Sequence, residues 1–269
     1  MTIDQEHPAA RYDDRVTELG GRAKLAVFAL AATIAVRVWD AGVRHWSLDL
    51  LGGLESSDES AEVALQTDLE AADGLVNAGL VAHYVVLAVT AVLFLRWVHL
   101  LVTLTRAFGD GYLPWKPSSA VWGFFLPIVS LFRPYQVLRD VHEALDPRDV
   151  LPPTARVDRD AAGDYRSVTL ITPPEPKPLS NGFIGVWWGV YVAANILSRI
   201  MNASGQTATT VDDVSAVYNG NILVDVVDLV AAVLAIRVVS SVTARLAERF
   251  RRIRYTTPES LEAQGVSIR

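Results

Sequence analysis

The stretch SLDLLGGLESSDESAEVALQTDLEAAD, Ser47–Asp73, decides the fold: it holds eight acids and no Lys or Arg in a chain that has 24 of those basic residues. Met201–Gly220 repeats the avoidance, with two acids and no base. Each segment lies between a pair of long apolar runs, and the segments beyond those runs are basic. Lys and Arg are retained on the cytoplasmic side of a bilayer, so this distribution predicts a multi-span membrane protein with its basic loops inside.

The composition agrees, because 51% hydrophobic residues in 269 is too apolar for an ordinary soluble domain unless the apolarity is clustered, as it is here. The first 20 residues are polar and include Asp4, Glu6, Asp13, Asp14 and Glu18, so no secretory leader is expected and the first apolar run should stay as an anchor. Cysteine is absent, which excludes disulfides, thiolate metal sites and cysteine nucleophiles together. A net charge of −6 with scattered bases argues against nucleic acid as a partner.

About 20 helical residues cross a hydrocarbon core of about 30 Å. Four segments reach that length: Leu25–Trp46, Gly74–Val98, Asn181–Ile200 and Asn221–Thr243. The N-terminal tail has four Lys or Arg, Arg96–Ser180 ten and Arg237–Arg269 seven, which places both termini and the central segment in the cytoplasm. The expected organisation is an inner tail (1–24), a span (25–46), an acidic outer loop (47–73) and a second span (74–98). An inner segment (99–145), a Pro/Arg-rich inner arm (146–180), a third span (181–200), an outer loop (201–220), a fourth span (221–243) and a basic inner tail (244–269) follow. The fold class is an all-α integral membrane protein in the cell membrane.

A fifth apolar stretch, Ser118–Phe132, needs its own decision. Fifteen helical residues reach only about 22 Å, and Pro127 interrupts the helix. Were it to span, a basic segment would move outside or an acidic one inside, so it is predicted to be a re-entrant or interfacial element.

The residues around that stretch carry a resemblance. Phe94-x-x-Trp97, Arg106-Ala-Phe-Gly109, and Pro117-x9-Pro127-Ile-Val-Ser-Leu-Phe-Arg133-Pro134-Tyr135-Gln136 are followed by Trp187-Trp188 and Asn195-Ile-Leu-Ser-Arg-Ile200. Over roughly Leu87–Val239 this resembles the bacterial membrane-protein family catalogued as domain of unknown function 4328. The chain departs from that family's pattern at Leu104, Ser119 and Ser130. The resemblance implies a multi-span bacterial membrane protein with no established activity.

The spans also resemble one another. Ala31–Val38 aligns with Ala193–Ile200 at four identical positions, and Val92–Val98 aligns with Val233–Val239 around Arg96 and Arg237. Two readings stay open: a duplicated hairpin related by an axis along the membrane normal, or chance agreement among Ala, Val and Leu.

Charged residues inside spans need a reason to be there. At about 1.5 Å per residue, Arg37, His83 and Asp228 fall at one depth and Asp40 and Asp225 in a shallower layer. Arg44 and Arg199 come close enough to the outer face to snorkel. This layer is either a proton or ion relay or an interhelical ion-pair cluster; the arginines nearly balance the aspartates, which favours the structural reading.

No nucleophile elbow, phosphate loop or dinucleotide fingerprint is present, so no enzyme and no cofactor is expected. The nearest metal-like string, His142-Glu143-Ala-Leu-Asp146, reads as a solvated helix end. The arm is expected to be extended and poorly packed, a tether or a contact for a cytoplasmic protein. Arg245-Leu-Ala-Glu-Arg249-Phe-Arg-Arg-Ile-Arg254 reads as a basic amphipathic helix suited to anionic lipids of the inner leaflet. Two functions follow: a non-enzymatic membrane scaffold or interaction protein, or a small-solute or proton carrier with Asn195, Asp228 and His83 lining a midplane site. The second needs a homo-oligomer, because four helices are few for a monomeric carrier.

Overall fold

A computed structural model of the protein describes residues 8–54, 59–109, 113–126, 128–147, 150, 156–159, 165–169, 181–256, 261–262 and 268, without the side chains of 54, 59–66, 156–159, 165–169 and 181. Pro127, most of the arm and much of the chain after Thr256 lie outside the described residues.

Four long helices dominate: α1 (Asp13–Leu54), α2 (Glu59–Phe108), α5 (Asn181–Gly205) and α6 (Val211–Tyr255). None contains proline, so nothing interrupts the hydrogen-bond ladder. Two short helices, α3 (Pro117–Trp122) and α4 (Arg133–Ala144), lie between α2 and α5. Three helices are long and apolar enough to cross a membrane, over Pro8–Gly53, Thr67–Phe108 and Gly182–Gly205. The fourth expected span, Asn221–Thr243, is helical throughout, inside α6, and carries Asp225, Asp228 and Arg237.

Two expectations are corrected. The acidic segment 47–73 is mostly helix, since α1 runs on to Leu54 and α2 begins at Glu59; its Ala, Leu and Glu are strong helix formers. The second outer segment shrinks likewise to the residues between Gly205 and Val211. There Thr210 and Asp213 form a reciprocal cap on α6: the backbone N–H groups of Thr209 and Thr210 donate to Asp213 Oδ2 at 3.2 and 3.1 Å, and Asp213 N–H donates to Thr210 Oγ1 at 3.1 Å. The helical fold class stands, with one small two-stranded addition. Within the arm, β1 (Arg156–Arg159) pairs antiparallel with β2 (Tyr165–Thr169), Arg156 opposite Thr169 and Val157 opposite Val168.

The fifth apolar stretch is not one helix. After α3 the chain turns through Gly123–Leu126, makes a single 3-10 turn at Ile128–Leu131 and enters α4. Trp122, Phe125, Leu126, Ile128, Leu131 and Phe132 are all exposed.

The residues group into two compact units. The first comprises Met1–Lys24, Leu95–Ile184 and Val239–Arg269. It is built like a soluble domain around Leu19, Trp97, Leu101, Leu104, Leu138, Leu246 and Ile253, with Phe108 edge-on to Tyr12 and Phe250 at 4.9 and 5.1 Å.

The second unit, Leu25–Phe94 and Gly185–Val238, is built the other way round. Phe28 is 76% exposed, and Val81, Val85, Val92, Ile196, Leu223 and Val226 are exposed too. Asp40 and Asp225, at 5% and 2%, are buried. Water would reverse that arrangement, whereas hydrocarbon favours it. Small and hydroxylated residues bring the helices together: Thr90 Oγ1 donates to Ala29 O across α1 and α2 at 3.3 Å, and Gly220 of α6 lies so close to Met201 of α5 that a Cβ would collide with its sulfur.

Candidate functional site

In the second unit Arg37 is the hub of a buried ionic node. It projects from α1, and its Nη1 donates to Asp225 Oδ1 of α6 at 2.9 Å. Its Nη2 pairs with Asp228 Oδ2, one turn further along α6, and lies 3.4 Å from His83 Nε2 of α2. Asp225 and Asp228 reach the same guanidinium because a spacing of three puts them on one helix face. A guanidinium only donates, so His83 Nε2 must present its lone pair and the imidazole is neutral there.

Arg37, His83 and Asp228 therefore meet at one level, joined by Asp225. Arg44 departs from its sequence reading. It does not snorkel; its side chain is largely buried, with Nε 3.5 Å from Asp225 Oδ2, because an unmatched carboxylate oxygen below it is a better partner than the headgroup region. Arg199 is exposed and has no ion pair among the described residues, so it is not part of the node. Asn195 is exposed and donates to Tyr191 O of its own helix at 2.8 Å. The aligned arginines Arg37 and Arg199 thus sit in different environments, while Arg96 and Arg237 are both exposed.

The motif positions do packing work. Trp97 is fully buried in the first unit and its Nε1 donates to Thr243 Oγ1 at 3.0 Å. Trp97→Phe keeps most of the apolar contact and loses that bond, so a loss of about 1 kcal/mol in unfolding free energy is expected from denaturant titration. Gly109 lies under the end of α4: a Cβ there would stand 3.2 Å from Ala144 O and 2.5 Å from Thr105 O. Pro117 and Pro134 occupy the first turns of α3 and α4, where a missing N–H costs nothing. Arg133 stacks on the Trp115 ring at 4.5 Å, and Trp115 Nε1 in turn donates to Asp140 Oδ2 at 2.9 Å. Arg139 lies over Tyr135 at 5.7 Å, and Gln136 N–H donates to Phe132 O at 3.1 Å. In the second unit Trp187 and Trp188 pack edge to face at 5.4 Å, with Phe94 6.2 Å from Trp187.

A second polar cluster, in the first unit, escaped the sequence reading. Arg245, Arg249 and Arg252 of α6 are buried, one per turn on a single face. Arg245 donates to Leu145 O at 3.3 Å and pairs with Asp146 at 3.0 Å. Arg249 donates to Phe108 O and Asp146 O, both at 2.5 Å, and Arg252 to Pro147 O at 2.9 Å. These carbonyls end α2 and follow α4, where no intrahelical donor remains, so the arginines act as their caps. The metal-like string is part of the cluster: His142 Nε2 lies 3.0 Å from Arg245 Nη1. The spacing 245, 249, 252, alternating with the buried Leu246, Phe250 and Ile253, was the available signal. It was read as a lipid-facing pattern because bases near a span usually are.

Glu248 joins the same helix turn, accepting from Arg252 at 2.8 Å and from Arg251 at 2.6 Å. Burial raises its carboxyl, but the two arginines together hold it below its ordinary value of 4.5. Its contribution to stability is therefore complete above that value and lost as the pH falls through the lower folded value. Unfolding midpoints measured across the acid range should fall more steeply for the wild type than for Glu248→Gln.

Long apolar helices, an exposed apolar surface and a charged interior are together consistent with the class of membrane proteins. Within it the family is specific: residues 60–244 match the family described as Domain of unknown function (DUF4328), so the chain belongs to that family. The match extends well beyond Leu87–Val239, taking in the acidic end of α2. No curated protein and no solved structure matches the chain.

Proposed function

We propose that the protein is a four-span membrane scaffold without catalytic activity, both termini and the central segment cytoplasmic, in which α1, α2, α5 and α6 cross the bilayer. The observation that carries this reading is the Arg37 node. Both α6 carboxylates are held by arginines, and three helices are tied at one point, which is how ionic groups fix packing rather than move charge. The helices are unbroken, whereas carriers usually interrupt a spanning helix to expose backbone at the site. The exposed Trp122–Phe132 surface suits an interfacial element, its aromatic side chains at headgroup depth. Arg251 and Arg254, on the exposed side of the tail, are the bases left for anionic lipid.

Two experiments test it. Single cysteines at Ser130, Thr169 and Thr209, in a chain without native cysteine, should label from outside intact cells only at Thr209; labelling at Thr169 overturns the topology. Proteoliposomes under a potassium diffusion potential should take up no more protons than empty vesicles. Uptake abolished by Asp228→Asn would replace the scaffold with a carrier.

A further inference from the structure

The ionic node holds more negative charge than its arginines can match. Asp40 of α1 is 5% exposed and lies within electrostatic reach of Arg44 and Arg37. It takes no hydrogen bond and no ion pair from any described residue; the guanidinium contacts of Arg37 go to Asp225 and Asp228, and that of Arg44 to Asp225. Its Oδ1 lies against α2 at Gly79, where a Cβ would collide with it. Asp40, Asp225 and Asp228 therefore face two guanidiniums, which are charged at every accessible pH. With all three carboxylates ionised, one negative charge would have no counterpart in a largely buried site.

The surrounding groups do not supply one. On α2, His83 presents a lone pair to Arg37, and Asp73 is exposed at the outer end. On α6, Tyr218 lies within reach of Arg44 and Asp73 and adds no positive charge. On α5, Tyr191 lies within reach of Asp228, and Arg199 is exposed and unpaired among the described residues. No group of three metal-ligating side chains occurs among the described residues.

We propose that Asp40 is a proton-binding site, its carboxyl protonated in the folded protein and so neutralising the surplus charge of the Arg37 node. Asp225 and Asp228 stay ionised because Arg37 donates to both. Asp40 has no such donor and takes the proton. Asp225, within electrostatic reach of Asp40, has an Oδ2 buried without a hydrogen bond. The site goes beyond the scaffold reading and rests only on the second unit being membrane-embedded; flux in proteoliposomes would remove the scaffold and leave the site standing.

The test is infrared spectroscopy of the full chain in nanodiscs at neutral pH. A carbonyl band of a protonated carboxylic acid should be present, should shift on 13C-aspartate labelling, and should vanish in Asp40→Asn but persist in the exposed control Asp212→Asn. Absence of the band from the wild type, or its survival in Asp40→Asn, overturns the assignment. Should Asp40→Asn fail to fold, Gly79→Ala presses a methyl against the carboxyl and should move the band; an unmoved band overturns the assignment as well. Thermal stability that rises with sodium chloride over choline chloride in the wild type, but not in Asp40→Asn, would identify a metal cation in place of the proton and equally overturn it.

Discussion

Arg37→Gln should destabilise the protein by about 3–5 kcal/mol, the largest loss expected from any single change in the second unit. The reason is asymmetry. The substitution removes one positive charge and strands two carboxylates, Asp225 and Asp228, that α6 holds on the same face and that have little access to water. Arg44 can compensate only in part, since its Nε stands 3.5 Å from Asp225 and makes no bond to Asp228. Asp228→Asn should cost less, because Arg37 keeps its 2.9 Å bond to Asp225. Combining the two changes removes both members of one pair, so the double variant should recover part of the sum, a coupling above about 1 kcal/mol. Unfolding of the four proteins in nanodiscs gives the cycle directly. If Asp228→Asn is neutral or stabilising and the effects simply add, the pair does not hold the helices together and the scaffold reading loses its main support.

The depth of that node was legible because two simple rules act on it. Rise per residue puts Arg37, His83 and Asp228 at one level, and the three-residue spacing puts Asp225 beside Asp228. The same depth count separated Arg37 from Arg199: although they sit in aligned segments with four identities, the deeper one is the hub and the one near the outer face is exposed. Arg44 shows where the count stops. By depth it could reach the headgroups, yet its side chain is largely buried with Nε 3.5 Å from Asp225 Oδ2. The loop boundaries failed for a different reason: charge sign says nothing about helix propensity, and an acidic run rich in Ala, Leu and Glu is helical over most of its length. The described residues of the fifth apolar stretch belong to separate short turns rather than to one helix, while Pro127 itself lies outside the described residues. Periodicity alone never revealed the caps that Arg245, Arg249 and Arg252 provide, because their carbonyl partners come from residues about 100 or more positions away.

Arg249→Met should be the most damaging single change in the first unit, costing about 2–5 kcal/mol as two buried carbonyls lose their donors. Arg249 is 1% exposed, and its side chain bridges Phe108 O at the end of α2 to Asp146 O beyond α4. Methionine nearly matches the length of the stem, so the loss reports the bonds rather than a cavity. Arg251→Met, two residues away, removes only a partly exposed pair with Glu248 and should stay within about 0.5 kcal/mol. Lipid binding should show the opposite ranking. Sedimentation of a soluble peptide spanning this tail would expose every arginine and mislead, so the full chain is needed: its affinity in nanodiscs for added anionic lipid should fall for Arg251→Met and Arg254→Met and be unchanged for a folded Arg249→Met. Weaker lipid binding in Arg249→Met, with stability preserved, would mean that this guanidinium faces headgroups rather than the ends of α2 and α4. The tail would then be the lipid-facing helix that its charge suggests, and the first unit would lack the caps that join it.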